Sequence, residues 1–163
     1  MNPLWDYAGP IALASVILGG IGGLFGLRRK QPSILVGGVI LALALTALWH
    51  GPGGAADRLT TAIERQSRTT LDDYEMPQVQ AHLHRSPLSR RLILTGPADD
   101  FQRSELVRIM NQIEGVGRAS WEQSGGIPLI LEAALLSVLG FLLGLSLAYL
   151  VELRRRYNAQ WKW

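Results

Sequence analysis

No cysteine occurs among the 163 residues, so disulfides and thiolate metal sites are excluded. Charge is scarce too: 18% of the chain is Asp, Glu, Lys or Arg, against 48% hydrophobic. Those totals alone would fit a soluble domain, and the distribution is what decides. Ala8–Leu27 contains no ionisable residue, Ile34–Trp49 is apolar apart from Thr46, and Ile127–Val151 carries one charge, Glu132. About 20 apolar residues cross a hydrocarbon layer of roughly 30 Å. Each stretch is therefore read as a transmembrane helix, at about 8–27, 34–50 and 127–151. The mostly polar segment between the second and third could not shield three such helices from water. A cleaved signal peptide would need a basic start, and Met1–Pro10 has neither Lys nor Arg, so the first stretch is read as a retained span.

Lysine is missing from residues 51–126, which hold nine arginines and ten acidic residues and are close to neutral. The net charge of +3 belongs instead to the ends of the spans. Arg28, Arg29 and Lys30 fill the short link between the first two spans, while Arg154, Arg155 and Arg156 follow the third, with Lys162 beyond. Basic residues near span ends stay cytoplasmic, and two crossings between the clusters permit both to do so. The expected protein is an α-helical membrane protein of three transmembrane helices with a small α/β extracytoplasmic domain. It would sit in a bacterial inner (cytoplasmic) membrane, with the N-terminus and residues 51–126 periplasmic and residues 127–163 ending in a cytoplasmic tail. Trp5, Tyr7, Trp49, Tyr149, Trp161 and Trp163 flank the spans as an interfacial belt would. The positive charge is thus a topology signal, and no nucleic-acid partner is expected.

Small residues recur four apart in every span, on one helical face. They are Ser15, Gly19 and Gly23 in the first, Gly38, Ala42 and Thr46 in the second, and Gly140, Gly144 and Ala148 in the third. Such faces let helix backbones approach closely, and close packing is the main force available in lipid. They hold the three helices together or dock on another protein. Glu132, near the start of the third span, is expected to reach the headgroup layer, and Glu152 to pair with the arginines beside it.

Gly51-Pro-Gly-Gly and Ser124-Gly-Gly bracket the domain. A helix capped by Asp57 is expected to run to about Arg68, with Leu59, Ala62 and Ile63 inward. Asp72–Pro77 reads as a turn, Gln78–His84 as a strand with Val79, Ala81 and Leu83 on one face, and Arg90–Thr95 as a second strand. Asp99 and Gln102 suit a capping box. Leu106, Ile109, Met110 and Ile113 then follow at helical spacing, Gly115 stops the helix, and Val116–Glu122 closes with a strand.

Arg91-Leu-Ile-Leu-Thr-Gly96, the amphipathic helix Asp100–Glu114, Gly115-Val116 and that closing strand together resemble a BON domain, a small α/β module of bacterial envelope proteins. The resemblance covers about Asp57–Glu122, under half the chain, and Thr70–Pro77 departs from the pattern. It implies a binding module for envelope surfaces such as phospholipid, with Gly96 as its structural glycine and Arg90 and Arg91 against phosphates.

His82 and His84 share one strand face, with Asp72, Asp73 and Glu75 as further possible zinc ligands, but a polar outer face explains them more simply. His50 at the membrane edge lacks a second ligand for a haem or chlorin. No Gly-x-Ser-x-Gly elbow or phosphate-binding glycine loop is present. Arg103 and Arg108 lie on the outer face of the last domain helix and suit an acidic partner. No catalytic residue, metal or cofactor is expected. The chain reads as a non-enzymatic accessory or scaffold subunit of a larger inner-membrane complex (respiratory, photosynthetic, secretory or division), its partners being other membrane-protein subunits and phospholipids. The alternative is an autonomous envelope protein that binds phospholipid or peptidoglycan through the BON-like domain.

Overall fold

The computed structural model describes residues 2–122 and 125–160, so Ser124, Trp161, Lys162 and Trp163 lie outside the described residues. The elements in chain order are α1 (Pro3–Arg29), α2 (Pro32–His50), α3 (Ala55–Asp73), β1 (Gln80–Arg85), β2 (Leu88–Thr95), α4 (Asp100–Met110), β3 (Arg118–Ser120) and α5 (Leu129–Gln160). They form two compact units: residues 8–53 with 133–163, and residues 1–7 with 54–132.

The first unit is helical. α1, α2 and α5 are each long and apolar enough to cross a membrane. At 1.5 Å per residue their 27, 19 and 32 residues correspond to about 40, 29 and 48 Å. α1 and α5 therefore outrun the expected apolar stretches, because the polar residues at their ends continue the helix. Pro32 opens α2 at a position where the missing N–H costs nothing.

Packing here inverts that of a soluble bundle. Ser15, Ala42, Ser137 and Ala148 are buried, and Phe141 is the one large side chain among the fully enclosed residues. Leu13, Ile17, Ile21 and Phe25 of α1, Val36, Ile40 and Leu45 of α2, and Leu135, Leu139 and Leu143 of α5 face outward. Water would penalise that surface by roughly 25 cal/mol per Å2, whereas hydrocarbon would not.

In the second unit three strands lie in the order β1-β2-β3, with β1 antiparallel and β3 parallel to β2. Leu83 pairs with Leu92 and Ala81 with Leu94, and Leu92 pairs on its other side with Ala119. Leu83, Leu92, Leu94 and Ala119 form the core with Leu59, Ile63 and Leu71 of α3 and Leu106 and Met110 of α4, while Ala81 is half-buried. Ile93, on the opposite face, is buried as well.

Several boundaries differ from the sequence reading, for identifiable reasons. α3 starts after Gly54, which takes a left-handed conformation, so Asp57 lies inside the first turn and does not cap it. The helix continues past Arg68 to Asp73, since Ser67 and Leu71 extend the buried row of Leu59 and Ile63 by steps of four. Thr69 and Thr70 turn their hydroxyls back onto the carbonyls of Arg65 and Gln66 and so fit within the helix. α4 ends at Met110, with Asn111 as its C-cap. Short-range backbone bonds from Gln112, Ile113 and Val116 then carry Ile113 into the core. Gly115 does have positive φ, +93°, but it follows that turn and does not stop the helix. The closing strand is three residues long, not seven.

Candidate functional site

Within the helical unit, the residues singled out for close packing are brought together. Ser15 Oγ lies 2.9 Å from Ser137 Oγ, so each polar group inside the bundle satisfies the other. A methyl group at Gly19 would overlap the backbone of Phe141, and one at Gly144 would overlap the carbonyl of Val16. At Gly23 a Cβ would come within 2.7 Å of the Cβ of Ala148, and at Gly140 within 3.0 Å of the Cβ of Ser15. These contacts advance along both helices in the same direction, so α1 and α5 run parallel with their backbones nearly touching. α2 runs antiparallel to α1. A Cβ at Gly38 would stand 2.9 Å from the Phe141 ring, one at Gly26 would meet the side chain of Leu35, and Thr46 bonds back to the carbonyl of Ala42. The small faces of α1 and α5 thus face one another.

Ser137 and Phe141 were missed in the sequence, although Ala133, Ser137, Gly144 and Ala148 repeat near four. A pattern search for glycine passes over the one aromatic ring that glycine admits. At the other end of the pair, Glu152 is buried and accepts from Arg28 at 3.4 Å, Arg155 at 3.4 Å and Arg156 at 3.3 Å. It is paired as expected, but its partners come from α1 as well as from its own helix.

In the α/β unit the four arginines proposed for contact divide into two pairs. Arg90 Nε donates to Glu132 Oε2 at 2.7 Å, and Arg91 Nε donates to Ser120 Oγ at 2.9 Å. Neither guanidinium stands free. Arg103 donates to the carbonyl of Ala98 and lies 5.2 Å from the ring centre of Trp121, whose indole N–H donates to the Arg103 carbonyl. Arg108 pairs with Glu105 at 2.6 Å on the solvent side of α4. Both ends of the α4 capping box are made: Gln102 N–H donates to Asp99 at 2.7 Å, and Asp99 N–H donates to the Gln102 side chain at 3.1 Å. Gly96 has φ +128°, and a Cβ there would lie 2.5 Å from the carbonyl of Gln78.

Two features of this unit were not foreseen. Phe101, in the first turn of α4, is 75% exposed. It shares a face with Glu105 and Arg108, four and seven residues on. The second is a cleft of about 440 Å3 lined by Ser89, Arg90, Arg91, Gly117, Arg118, Gly126, Ile127 and Glu132. The hydroxyl of Ser89 is buried there and is the single buried side-chain polar atom without a hydrogen-bond partner among the described residues. Such a group costs about 1–3 kcal/mol if left unmatched.

His82 and His84 face the same side of β1, and His84 Nδ1 is 2.9 Å from the carbonyl of Pro87. Asp72, Asp73 and Glu75 do not join them: among the described residues no group of three or more His, Asp or Glu stands close enough to hold a metal ion. His50 is the last residue of α2. Comparison with known proteins gives no match to any family model, to any curated protein or to any solved structure.

Proposed function

We propose that the protein is a membrane-embedded accessory subunit that docks on a partner subunit through its α/β unit, with the external face of α4 as the contact. The observation that carries this reading is Phe101, which at 75% is the most exposed of the large hydrophobic side chains described in the α/β unit. Aromatic and Arg side chains dominate the energetics of protein contacts, and Glu105 and Arg108 on the same face supply a polar rim. The inverted packing of the helical unit supports residence in a bilayer. The basic clusters at residues 28–30 and 154–156 support a cytoplasmic placement of both, hence an extracytoplasmic α/β unit. With the small faces of α1 and α5 engaged on each other, docking falls to the α/β unit and not to those stripes. The BON-like resemblance fits the same picture: Gly96 stands where a strand must turn tightly past a neighbouring carbonyl.

The test is recovery of the tagged chain in gentle detergent, followed by native electrophoresis and mass spectrometry of what accompanies it. A stoichiometric membrane-protein partner, lost with Phe101→Glu while the variant still melts cooperatively, is the expected result. A chain that migrates only as monomer or homo-oligomer would overturn the reading.

A further inference from the structure

We propose that His82 and His84 of β1 chelate a late first-row divalent cation, copper(II) foremost, in a cleft on the outer face of the sheet. The proposal goes beyond the accessory-subunit reading and does not depend on it.

Strand geometry brings the two rings together. Residues two apart in a strand stand about 6.7 Å apart on one face, within the span of two imidazoles around one ion. Both side chains are half-buried, and they line one cleft of about 280 Å3 with Leu83, Arg85, Ser86 and Ile93. Ile93, the cross-strand partner of His82, gives that ring a buried apolar floor. The pairing with β2 slips between Leu83 and Arg85, so His84 sits at an irregularity, where a strand re-aims a side chain.

Hydrogen bonding then sets the tautomer of His84. Its Nδ1 lies 2.9 Å from the carbonyl of Pro87. A carbonyl only accepts, so Nδ1 carries the proton, and the neutral ring keeps its Nε2 lone pair for a ligand bond. Metal-ligating histidines use the same kind of outer partner, which also fixes the orientation of the ring. The charge of the adjacent Arg85 is matched, because its guanidinium donates to both carboxylate oxygens of Glu64, at 3.2 and 3.0 Å.

Ligand type selects the metal. Magnesium and calcium take oxygen ligands, and structural zinc closes its four positions with protein groups. The chain has no cysteine, and among the described residues no third His, Asp or Glu joins the pair. The carboxylates considered with this pair for zinc thus drop out, and a two-nitrogen chelate with open positions remains. Two neutral imidazoles with water in those positions suit copper(II), which stands highest in affinity among the divalent first-row ions at a given nitrogen site.

The test titrates copper(II) chloride into the full-length protein, purified in detergent without a histidine tag, and follows binding by calorimetry and electron paramagnetic resonance. One ion per chain with two equatorial nitrogens is expected. His82→Ala and His84→Ala should each weaken binding at least about tenfold and leave a one-nitrogen spectrum. His84→Asn should do the same while retaining a donor to the Pro87 carbonyl, so that a loss there reports the ligand and not the turn. His50→Ala, which removes the third histidine of the chain, should leave binding unaltered, and excess magnesium should not compete. Equal copper affinity in wild type and in the His82 and His84 variants would overturn the proposal, as would a one-nitrogen spectrum or no copper binding in the wild type. One ion shared by two chains would overturn it too, since the site would then lie between copies.

Discussion

Gly96 concentrates two constraints in one position. Its φ of +128° is a conformation that side chains with a Cβ rarely adopt, and the carbonyl of Gln78 occupies the place where that Cβ would go. Gly96→Ala should therefore destabilise the α/β unit by about 1–3 kcal/mol, visible as a lowered denaturation midpoint. Asp72 makes a different prediction. Its hydrogen bond from Arg68 holds the carboxyl below its ordinary value; desolvation opposes that shift, and the guanidinium charge adds a lesser lowering. A lowered folded value means that the contribution to stability is complete above the unfolded pKa of about 3.9 and is lost as pH falls through the folded one. Melting temperatures of wild type and Asp72→Asn should thus differ at neutral pH and converge as pH falls through the lowered folded value. Equal melting at pH 7 would show that this exposed pair stabilises nothing.

Residues differ in how openly they announce such roles. Asp99 and Gln102 do so through identity and spacing, because a cap is a local device. Gly96 does so because it ends an apolar strand. Ser89 could not: it is an ordinary serine until strand pairing sets Arg91 beside Arg118 and its hydroxyl is enclosed without a partner next to the cleft.

At the scale of elements, the contact between α1 and α5 is the most specific claim. The chain has no native cysteine to interfere, so Ser15→Cys with Ser137→Cys should cross-link rapidly under mild oxidation. Ser15→Cys with Ser146→Cys should not, because Ser146 is exposed and bonds to the carbonyl of Leu142 in its own helix. Adding Gly144→Leu to the reactive pair should slow the cross-link at least severalfold, since its side chain would occupy the space of the Val16 carbonyl. The existence of all three helices was legible from missing charge alone. Their mutual order was not, because a stripe of small residues states that something comes close without stating what. The length of α3 was also hidden. Thr and Ser suggest a turn by propensity, yet here their hydroxyls bond back within the helix and Leu71 holds the last turn in the core.

For the whole molecule, the basic clusters make orientation the measurable property. Single cysteines introduced at Gly53 and at Ala159 should react with a membrane-impermeant maleimide from opposite sides of the bilayer in intact and inverted vesicles. Labelling of both from the same side would refute the proposed topology. Charge distribution set the expected domain limits at residues 51–126, whereas the compact α/β unit spans residues 54–132 and takes in residues 1–7. Pro3–Tyr7 thus cluster with the α/β unit even though they belong to α1, a grouping that no local pattern encodes.

The pairing of Ser15 with Ser137 joins positions 122 residues apart. On the proposed topology, the first helix enters the bilayer long before its parallel neighbour exists, and the whole α/β unit must be delivered in between. Its glycine face is left against lipid for that interval, where any other helix with small residues is a competing mate. Fidelity of assembly thus falls to features that act late and at a distance: the serine pair, the Phe141 ring and the Glu152 cluster, all of which become available only when α5 arrives.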